Sequence, residues 1–255
     1  MNLQAELALA KQLRSARQIA RVVTEDWCSR EMYCPACEAQ NLTKTKTGSP
    51  ACDFTCNECN ERFELKSGRH RFGARIPDSA YSAMIAAIRG DRTPNLMALQ
   101  YSESFRIVNF FVVPRYFINE SAIEKRAPLG VHARRAGWVG CNILLSRIPS
   151  DGRISVVREG TALPARDVRK LFSKANELGR VKVPNRGWTV DVLNILRTIG
   201  GKEFSLADVY KFESQLEVLH ARNRNIRPKI RQQLQVLRNL GFLEFLGRGR
   251  YRFCD

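Results

Sequence analysis

The residues best suited to chemistry lie close together in the first third of the chain. Two carboxylates and an ammonium occur as Asp53 and Glu64-x-Lys66, and the thiol pair Cys56-x-x-Cys59 lies between them. Two carboxylates on one face can hold Mg²⁺, and a lysine beside them can hold an attacking water or a phosphate. Thiols separated by two residues are typical zinc ligands. The stretch therefore combines residues for hydrolysis with residues for a structural metal.

A short hairpin would bring the acidic side chains together. If Asn57 and Glu58 form its turn, Asp53 lies opposite Arg62 and diagonally from Glu64 on the same face, because side chains alternate along a strand. The Glu-x-Lys spacing by itself is weak, since it is common on exposed strands. A solvated strand face is therefore the alternative, but the basic surroundings and the winged helix predicted for the C-terminal part favour a catalytic site.

A second thiol pair completes a predicted zinc site. Cys34-x-x-Cys37 precedes Cys56-x-x-Cys59 at the separation that is typical of zinc ribbons, and four thiolates suit tetrahedral zinc. Because four protein ligands leave no open coordination position, we expect a structural role. The remaining cysteines show no such spacing and are predicted to be core or incidental residues: Cys28, Cys52, Cys141 and Cys254.

The composition indicates a polyanionic partner. The 255 residues include 42 Lys and Arg against 25 Asp and Glu, which gives a formal net charge of +17. Such an excess favours nucleic acid as the partner, and 44% hydrophobic residues fit a globular protein. The sequence shows neither a signal-peptide pattern nor an apolar run long enough for a membrane span. We therefore expect a cytoplasmic protein with reduced thiols and no membrane partner.

Apolar patterns predict a mixed α/β fold in the first two thirds of the chain. Helical spacing indicates helices over 2–29 and 81–89. Short apolar runs bounded by turn residues predict buried strands at 96–101, 107–114 and 154–157.

The remaining residues predict a winged helix. A compact amphipathic helix at 188–199 ends at two glycines, a second helix over 205–219 begins with a Ser-x-x-Asp capping box, and a third covers 225–240. A hairpin with a Gly-Arg-Gly tip follows at 242–253. Three helices and a terminal hairpin in this order are typical of winged-helix DNA-binding domains.

The third helix and the hairpin carry most of the residues expected to contact DNA. Arginine can pair with guanine and glutamine with adenine in the major groove, while arginines on the wing reach phosphates or the minor groove. A solvated face is the less favoured alternative. The predicted contacts are Arg224, Arg227, Lys229, Arg231, Gln232, Gln235, Arg248 and Arg250.

A glycine-flanked loop earlier in the chain supplies three more candidates. Arg134, Arg135 and Trp138 lie together in the segment 133–142. The tryptophan either anchors a core or stacks on bases, and the sequence leaves both interpretations open.

These features together resemble the DpnI family of methyl-directed restriction endonucleases over nearly the whole chain. Besides both thiol pairs and Asp53-Phe54, the matching segments are 24–27, 63–67, 133–138, 186–189 and 229–235. The resemblance implies an α/β PD-(D/E)xK nuclease domain with an embedded four-cysteine zinc site over 1–182, followed by a C-terminal winged-helix domain over 183–255. Pro50 is not adjacent to Asp53, so the first half of the general nuclease motif is degenerate.

The resemblance also implies the activity. It predicts a type II restriction endonuclease that cleaves double-stranded DNA with Mg²⁺ at GATC sites carrying N6-methyladenine, read by both domains of a prokaryotic, monomeric protein. By position, Asp53, Glu64 and Lys66 are catalytic, and Asp53, Glu64 and the Leu65 backbone carbonyl are the predicted magnesium ligands. Trp138 matches a DNA-contacting residue. The alternatives are a non-catalytic zinc-ribbon and winged-helix regulator, and a nuclease of the same fold with another specificity.

Overall fold

The computed structural model describes residues 1–46 and 52–254. The α-helices are α1 (Ala16–Glu31), α2 (Tyr81–Arg89), α3 (Ala165–Asn176), α4 (Val183–Ile199), α5 (Leu206–Tyr210), α6 (Glu213–Leu219) and α7 (Ile226–Asn239). The strands are β1 (Thr43–Lys44), β2 (Phe54–Thr55), β3 (Arg62–Gly68), β4 (Arg75–Ala80), β5 (Asn95–Tyr101), β6 (Ile107–Val113), β7 (Ile123–Lys125), β8 (Gly140–Leu144), β9 (Ile154–Arg158), β10 (Thr161–Ala162), β11 (Glu203–Ser205), β12 (Leu243–Gly247) and β13 (Arg250–Phe253). None of these helices is both long and apolar enough to cross a membrane.

The N-terminal part is built on a seven-stranded sheet in the order β1-β2-β3-β5-β6-β9-β10. Strands β3 and β5 are parallel and the other pairs are antiparallel. The predicted strands at 96–101, 107–114 and 154–157 and the predicted helix at 81–89 are confirmed as β5, β6, β9 and α2. The mixed α/β character follows from the apolar runs, which are buried in the middle of this sheet.

Helix α1 covers one face of the large sheet. Its Trp27 is fully buried and meets Phe110 edge to face, with ring centroids 5.7 Å apart. A smaller antiparallel sheet in the order β4-β8-β7 follows β3 in the chain and brings Asp78 to the end of Lys66. Strand β3, which carries Glu64 and Lys66, therefore lies between a helix on one side and a second sheet on the other.

The N-terminal helix is shorter than predicted. The sequence pattern indicates a helix over 2–29, but α1 begins at Ala16 and a single 3-10 turn covers Leu7–Ala10. The first residues instead extend along the sheet, where the Ala5 amide donates to the Phe105 carbonyl at 3.1 Å. These tertiary hydrogen bonds outweigh the local helical preference of an Ala- and Leu-rich segment.

The C-terminal part is a helical unit with a three-stranded sheet in the order β11-β13-β12. The capping box is confirmed: the Asp208 amide donates to Ser205 Oγ at 3.2 Å, and the Ser205 amide donates to Asp208 Oδ2 at 3.0 Å. The second predicted helix is divided into α5 and α6 by Lys211 and Phe212. Strand β11, which the sequence analysis does not predict, pairs with β13 and closes the sheet.

Helix α7 packs through an apolar stripe with one polar member. Ile230, Leu234 and Leu237 are fully buried, as the helical spacing predicts. Gln233 is also buried, and its side-chain oxygen accepts a hydrogen bond from the Thr189 hydroxyl of α4 at 2.6 Å. This bond satisfies a buried amide oxygen and fixes α7 against α4.

Buried polar contacts join the two parts. Asp191 of α4 is 3% exposed and accepts hydrogen bonds from Asn119 at 3.2 Å and from Ser121 at 2.5 Å. Arg186 lies near the start of the same helix and pairs with Asp91 at 2.7 Å. Buried charged groups need partners, so these contacts fix the position of α4 against the N-terminal part.

Candidate active site and metal centre

The three predicted catalytic side chains line one cleft. Asp53, Glu64 and Lys66 face a space of about 740 Å³ along the edge of β3. Strand β2 pairs with only the first two residues of β3, which leaves the rest of that edge uncovered. Arg17 and Arg21 of α1 and the residues Arg69 and His70 line the same cleft, so its rim is basic.

The hairpin differs from the simple turn expected from the sequence. The strands pair Phe54 with Phe63, and the connecting loop runs over Cys56–Glu61 instead of turning at Asn57 and Glu58. Asn60 adopts a left-handed conformation with φ of 61°, which lets the loop turn back on itself. The expected pairing of Asp53 with Arg62 is wrong, because a thiol knuckle needs a longer loop than a two-residue turn provides.

The observed strand register places Asp53 beside the Glu64-x-Lys66 motif. The backbone amide of Asp53 donates to the Phe63 carbonyl at 2.9 Å. Its carboxylate oxygen Oδ2 accepts a hydrogen bond from the Leu65 amide at 2.8 Å. A backbone donor thus fixes the Asp53 carboxylate beside the strand that carries Glu64 and Lys66.

Lys66 is held between two carboxylates. Its Nζ donates to Glu64 Oε1 at 2.5 Å and to Asp78 Oδ1 at 2.8 Å. The Asp78 side chain is completely buried, and its second oxygen, Oδ2, has no hydrogen-bond partner among the described residues. Sequence reasoning missed Asp78, because it lies on β4 in a different sheet and no motif spacing connects it with Lys66.

The charges of this cluster shift its pKa values in a defined way. The pKa of Glu64 is raised to about 7, first by burial and then by the Asp78 charge, while the Lys66 ammonium opposes both effects. Burial lowers the pKa of Lys66, but the charges of Glu64 and Asp78 outweigh this effect and raise it above its usual value. Lys66 is therefore a stable cation at neutral pH, whereas Glu64 is close to its titration midpoint.

Helix α1 adds a satisfied acidic group to the cleft. Glu25 is mostly buried and forms ion pairs with Arg21 at 2.7 Å and with Lys44 at 2.6 Å. The neighbouring Thr24 hydroxyl donates to Ser67 Oγ at 3.0 Å, which connects the helix with β3. These contacts hold α1 against the strand that carries Glu64 and Lys66.

The four cysteines of the two predicted pairs form one cluster. The Sγ atoms of Cys34, Cys37, Cys56 and Cys59 all lie within 4.8 Å of one another. Cys34 and Cys59 are 3.6 Å apart and Cys37 and Cys56 are 3.5 Å apart. Four thiolates at about 2.3 Å from a tetrahedral zinc would be about 3.8 Å apart, so the donor set and its spacing fit this ion. Arg169 of α3 supports the cluster by donating to the Cys34 carbonyl at 3.1 Å.

The cysteines outside the two pairs do not join this cluster. Cys28 and Cys52 are buried separately, and Cys141 donates to the Ser79 carbonyl at 3.3 Å. Cys254 is partly buried near the C-terminal end. Among the described residues, this group of four is the one set of three or more His, Cys, Asp or Glu side chains whose ligand atoms lie close enough to share a metal ion.

Comparison with protein-family models decides the relationship. Residues 1–181 match the model of the Dam-replacing family, DpnI, and residues 184–253 match that of the Dam-replacing HTH domain. The chain belongs to the DpnI-like, Dam-replacing family. The resemblance stated from the sequence is confirmed. The family implies methylation-dependent DNA cleavage by a restriction endonuclease, and the HTH domain implies DNA binding.

Most of the predicted DNA contacts in the HTH domain of this DpnI-like chain are exposed. Arg231, Gln232 and Gln235 are exposed on α7, whereas Lys229 is half-buried and donates to Asn185 at 3.2 Å. Arg227 is exposed but forms an ion pair with Glu213 at 2.8 Å. The side chains that point away from the buried stripe are thus available on one helix face.

The hairpin of β12 and β13 presents its arginines differently. Arg248 is exposed at the tip of the hairpin with φ of 48°, between two glycines of positive φ. Arg250 is exposed but paired with Glu203 at 2.7 Å. Arg224 is exposed in the turn before α7, beside a pocket of about 730 Å³ that Trp188 and His220 also line.

The loop between β7 and β8 carries the remaining candidates. Arg134 and Arg135 are exposed, and the Arg135 guanidinium lies 4.6 Å from the centre of the Trp138 ring. Trp138 is half-buried, and its ring packs so closely over Gly140 that an added Cβ there would lie 2.6 Å from it. The Trp138 ring therefore packs against the backbone at Gly140 and also contacts the exposed Arg135.

Proposed function

We propose that this protein is a Mg²⁺-dependent type II endonuclease that hydrolyses double-stranded DNA at GATC sites carrying N6-methyladenine. The observation that carries the proposal is the cluster at β3: the half-buried Lys66 held at 2.5 Å by Glu64, next to an oriented Asp53, in an open cleft with a basic rim. Such a group of two acids and a lysine at a strand edge supports a PD-(D/E)xK nuclease domain over 1–182, followed by a winged-helix domain over 183–255.

The chain offers oxygen donors that suit magnesium. Asp53 and Glu64 supply carboxylates to the cleft, and Leu65, the residue after Glu64, lines the same cleft and offers its backbone carbonyl, so these three groups would hold the ion. When bound, Mg²⁺ stabilises negative charge on a phosphoryl oxygen and makes water more acidic. The Leu65 amide holds Asp53 in place, so the carboxylate needs little reorganisation on binding.

Lys66 supplies the positive charge at the reacting phosphate. Its raised pKa keeps the ammonium protonated, so it acts as a hydrogen-bond donor to the scissile phosphate or to the attacking water. Asp78 anchors the same nitrogen from the opposite side at 2.8 Å and is a positioning residue. With Asp78 as a fixed anchor, Lys66 can exchange its contact with Glu64 for a contact with substrate.

Recognition is proposed to use both parts of the chain. Arg231, Gln232 and Gln235 on α7 would read base edges, and Arg248 at the wing tip would contact the backbone. In the nuclease domain, Trp138 and its neighbouring arginines would contact the methylated site. The four-cysteine cluster would hold a structural zinc that fixes the hairpin beside Asp53.

A paired digest tests the proposal. With Mg²⁺, the purified protein should cut plasmid DNA that carries N6-methyladenine in GATC and leave the same unmethylated plasmid largely intact. Asp53→Asn and Lys66→Met should abolish cleavage while DNA binding persists, because they remove charge from the cleft and not from α7. Asp26→Asn is the matched control, since Asp26 pairs with Arg30 outside the cleft.

Three outcomes would contradict the proposal in different ways. Equal cutting of both plasmids would remove the methyl requirement. Full cleavage by Lys66→Met would show that the β3 cluster is not the reaction site. Binding of methylated DNA without any cleavage would favour a DNA-binding regulator instead.

A further inference from the structure

The sheet face that carries the catalytic residues continues far beyond them. Lys66 is paired with Ala98 of β5, Ala98 with Phe111 of β6, and Phe111 with Ser155 of β9. Paired residues project from the same face of a sheet, so this row extends the face of Glu64 and Lys66 across three further strands. The proposed chemistry uses only the edge of this surface.

The far part of that face is a groove of about 410 Å³ next to the cleft. Phe72 lines both spaces and packs edge to face on Phe111, with ring centroids 6.2 Å apart. The groove begins where the cleft ends, on the other side of this aromatic pair.

The floor of the groove is a row of polar side chains that are joined by hydrogen bonds. The Asn109 side-chain amide donates to Gln100 Oε1 at 2.8 Å, and the Glu159 backbone amide donates to Asn109 Oδ1 at 3.0 Å. Ser155 continues the row on β9 and lies 3.4 Å from an Arg158 nitrogen. Because these polar side chains already have hydrogen-bond partners, they form a rigid floor and leave the groove open.

Three arginines surround this floor. Arg71, Arg153 and Arg158 are all exposed and line the groove, and Glu159 is the one acidic residue among its lining residues. Over the described ranges, no carboxylate forms an ion pair with Arg71 or Arg153. Elsewhere in this chain surface arginines are commonly neutralised, as Arg75 is by Glu124. The groove thus keeps an excess of uncompensated positive charge.

We propose that this groove, formed by Arg71, Arg153 and Arg158 over the Gln100–Asn109–Ser155 floor, binds backbone phosphates of the DNA that flanks the cleaved site. The inference rests on the proposed function. Guanidinium groups recognise phosphate through paired hydrogen bonds, and such contacts position a duplex without reading its sequence. The aromatic rings at the groove pack on each other, so the arginines and not base stacking provide the binding.

The geometry gives the distance of these phosphates from the reaction. Neighbouring strands are about 4.8 Å apart, so β6 and β9 lie about 10–14 Å from β3. Since each base pair advances about 3.4 Å along the duplex, the groove is placed about three to four base pairs from the scissile phosphate. That distance reaches beyond a short recognition site and predicts that flanking DNA contributes to affinity.

Binding measurements with two duplexes test the groove. The chain carrying both Arg153→Gln and Arg158→Gln is compared with the wild type by fluorescence anisotropy, without Mg²⁺, on methylated GATC duplexes. Both duplexes have flanks of about ten base pairs, but in one of them the flank linkages are uncharged methylphosphonates, so that its flanks offer no charged phosphate. Arg166→Gln is the matched control, because the Arg166 side chain is 93% exposed and lies outside the groove.

The expected result is specific to the duplex with charged flanks. The wild type should bind it more tightly than the duplex with uncharged flanks, and the double variant should lose about tenfold in affinity on the charged-flank duplex only. The slope of log Kd against log salt should become shallower by about 2, because two phosphate contacts are removed. Arg166→Gln should leave affinity and slope unchanged.

The outcomes separate this inference from the function on which it rests. Equal flank dependence and equal salt slopes in the wild type and the double variant would overturn the groove and leave the nuclease proposal intact. If the wild type binds neither duplex, both proposals are overturned. Thermal unfolding of the double variant at the wild-type temperature excludes a folding defect as the cause of a loss.

Discussion

Replacing Asp78 by asparagine removes one negative charge from the centre of the β3 cluster and nearly preserves its shape. Asp78 Oδ1 lies 2.8 Å from Lys66 Nζ, and its side chain is completely buried. After burial, the Asp78 charge is the largest cause that raises the pKa of Glu64. The substitution should therefore lower the pKa of Glu64, whose carboxylate form is the one proposed to hold Mg²⁺.

The size of this effect follows from the distances. Glu64 and Asp78 contact the same nitrogen at 2.5 and 2.8 Å. Their contacting oxygens consequently lie within about 5 Å, where two unit charges interact by about 3 kcal/mol at an effective dielectric constant of about 20. The Glu64 side chain is 13% exposed, so water in the cleft reduces this value. The interaction that remains after this reduction, about 1.5–3 kcal/mol, corresponds to a change of about one to two units in the pKa of Glu64.

The measurement is the pH dependence of single-turnover cleavage at a fixed, limiting Mg²⁺ concentration. Because Glu64 has a pKa of about 7, its carboxylate forms as the pH rises, and the wild-type rate should increase through neutral pH. In Asp78→Asn the midpoint should move down by about one to two units. Asp26→Asn, which changes an acid paired with Arg30, should keep the wild-type midpoint.

Two results would refute the reasoning. An unchanged midpoint would show that Asp78 does not interact with Glu64 electrostatically, and an upward shift would give the interaction the wrong sign. Carboxyl NMR of glutamate-labelled protein measures the same titration without catalysis. It separates a shifted pKa from a lower maximal rate, which the loss of one Lys66 anchor will also cause.

Two further predictions concern the metal centre and the recognition helix. Cys37→Ser should release zinc, detected by metal analysis, and lower the Tm by about 10 °C or more, whereas Cys254→Ser outside the cluster should do neither; equal Tm values would contradict a structural zinc. Arg231→Ala should weaken binding to methylated DNA by about 1–3 kcal/mol, whereas Arg180→Ala, on the N-terminal part and paired with Glu177, should not; equal losses would indicate a non-specific charge effect.

Spacing along the chain predicts the features whose physics is local. The two Cys-x-x-Cys pairs converge because each pair needs only a tight turn to present its thiols. The capping box at Ser205 forms because both partners lie within one helical turn. The buried strands β5 and β6 follow from apolar runs that cannot remain in water.

Features that depend on packing between distant segments could not be predicted in the same way. Asp78 reaches Lys66 only because β4 pairs with β8, more than sixty residues away in the chain, and folds over the large sheet. The helix expected from residue 2 is interrupted because its first residues hydrogen-bond to the sheet near Phe105. No periodicity in the sequence encodes either contact.

The loop Cys56–Glu61 connects the four-cysteine cluster with the proposed chemistry. A two-residue turn would have placed Asp53 opposite Arg62, where its charge would be neutralised on the strand. The longer loop brings Cys56 and Cys59 to the other thiols and shifts the pairing so that Phe54 meets Phe63. In this register the Asp53 carboxylate accepts a hydrogen bond from the Leu65 amide at 2.8 Å. A bound zinc would therefore stabilise the register that directs Asp53 to the cleft, although the zinc itself would take no part in the reaction.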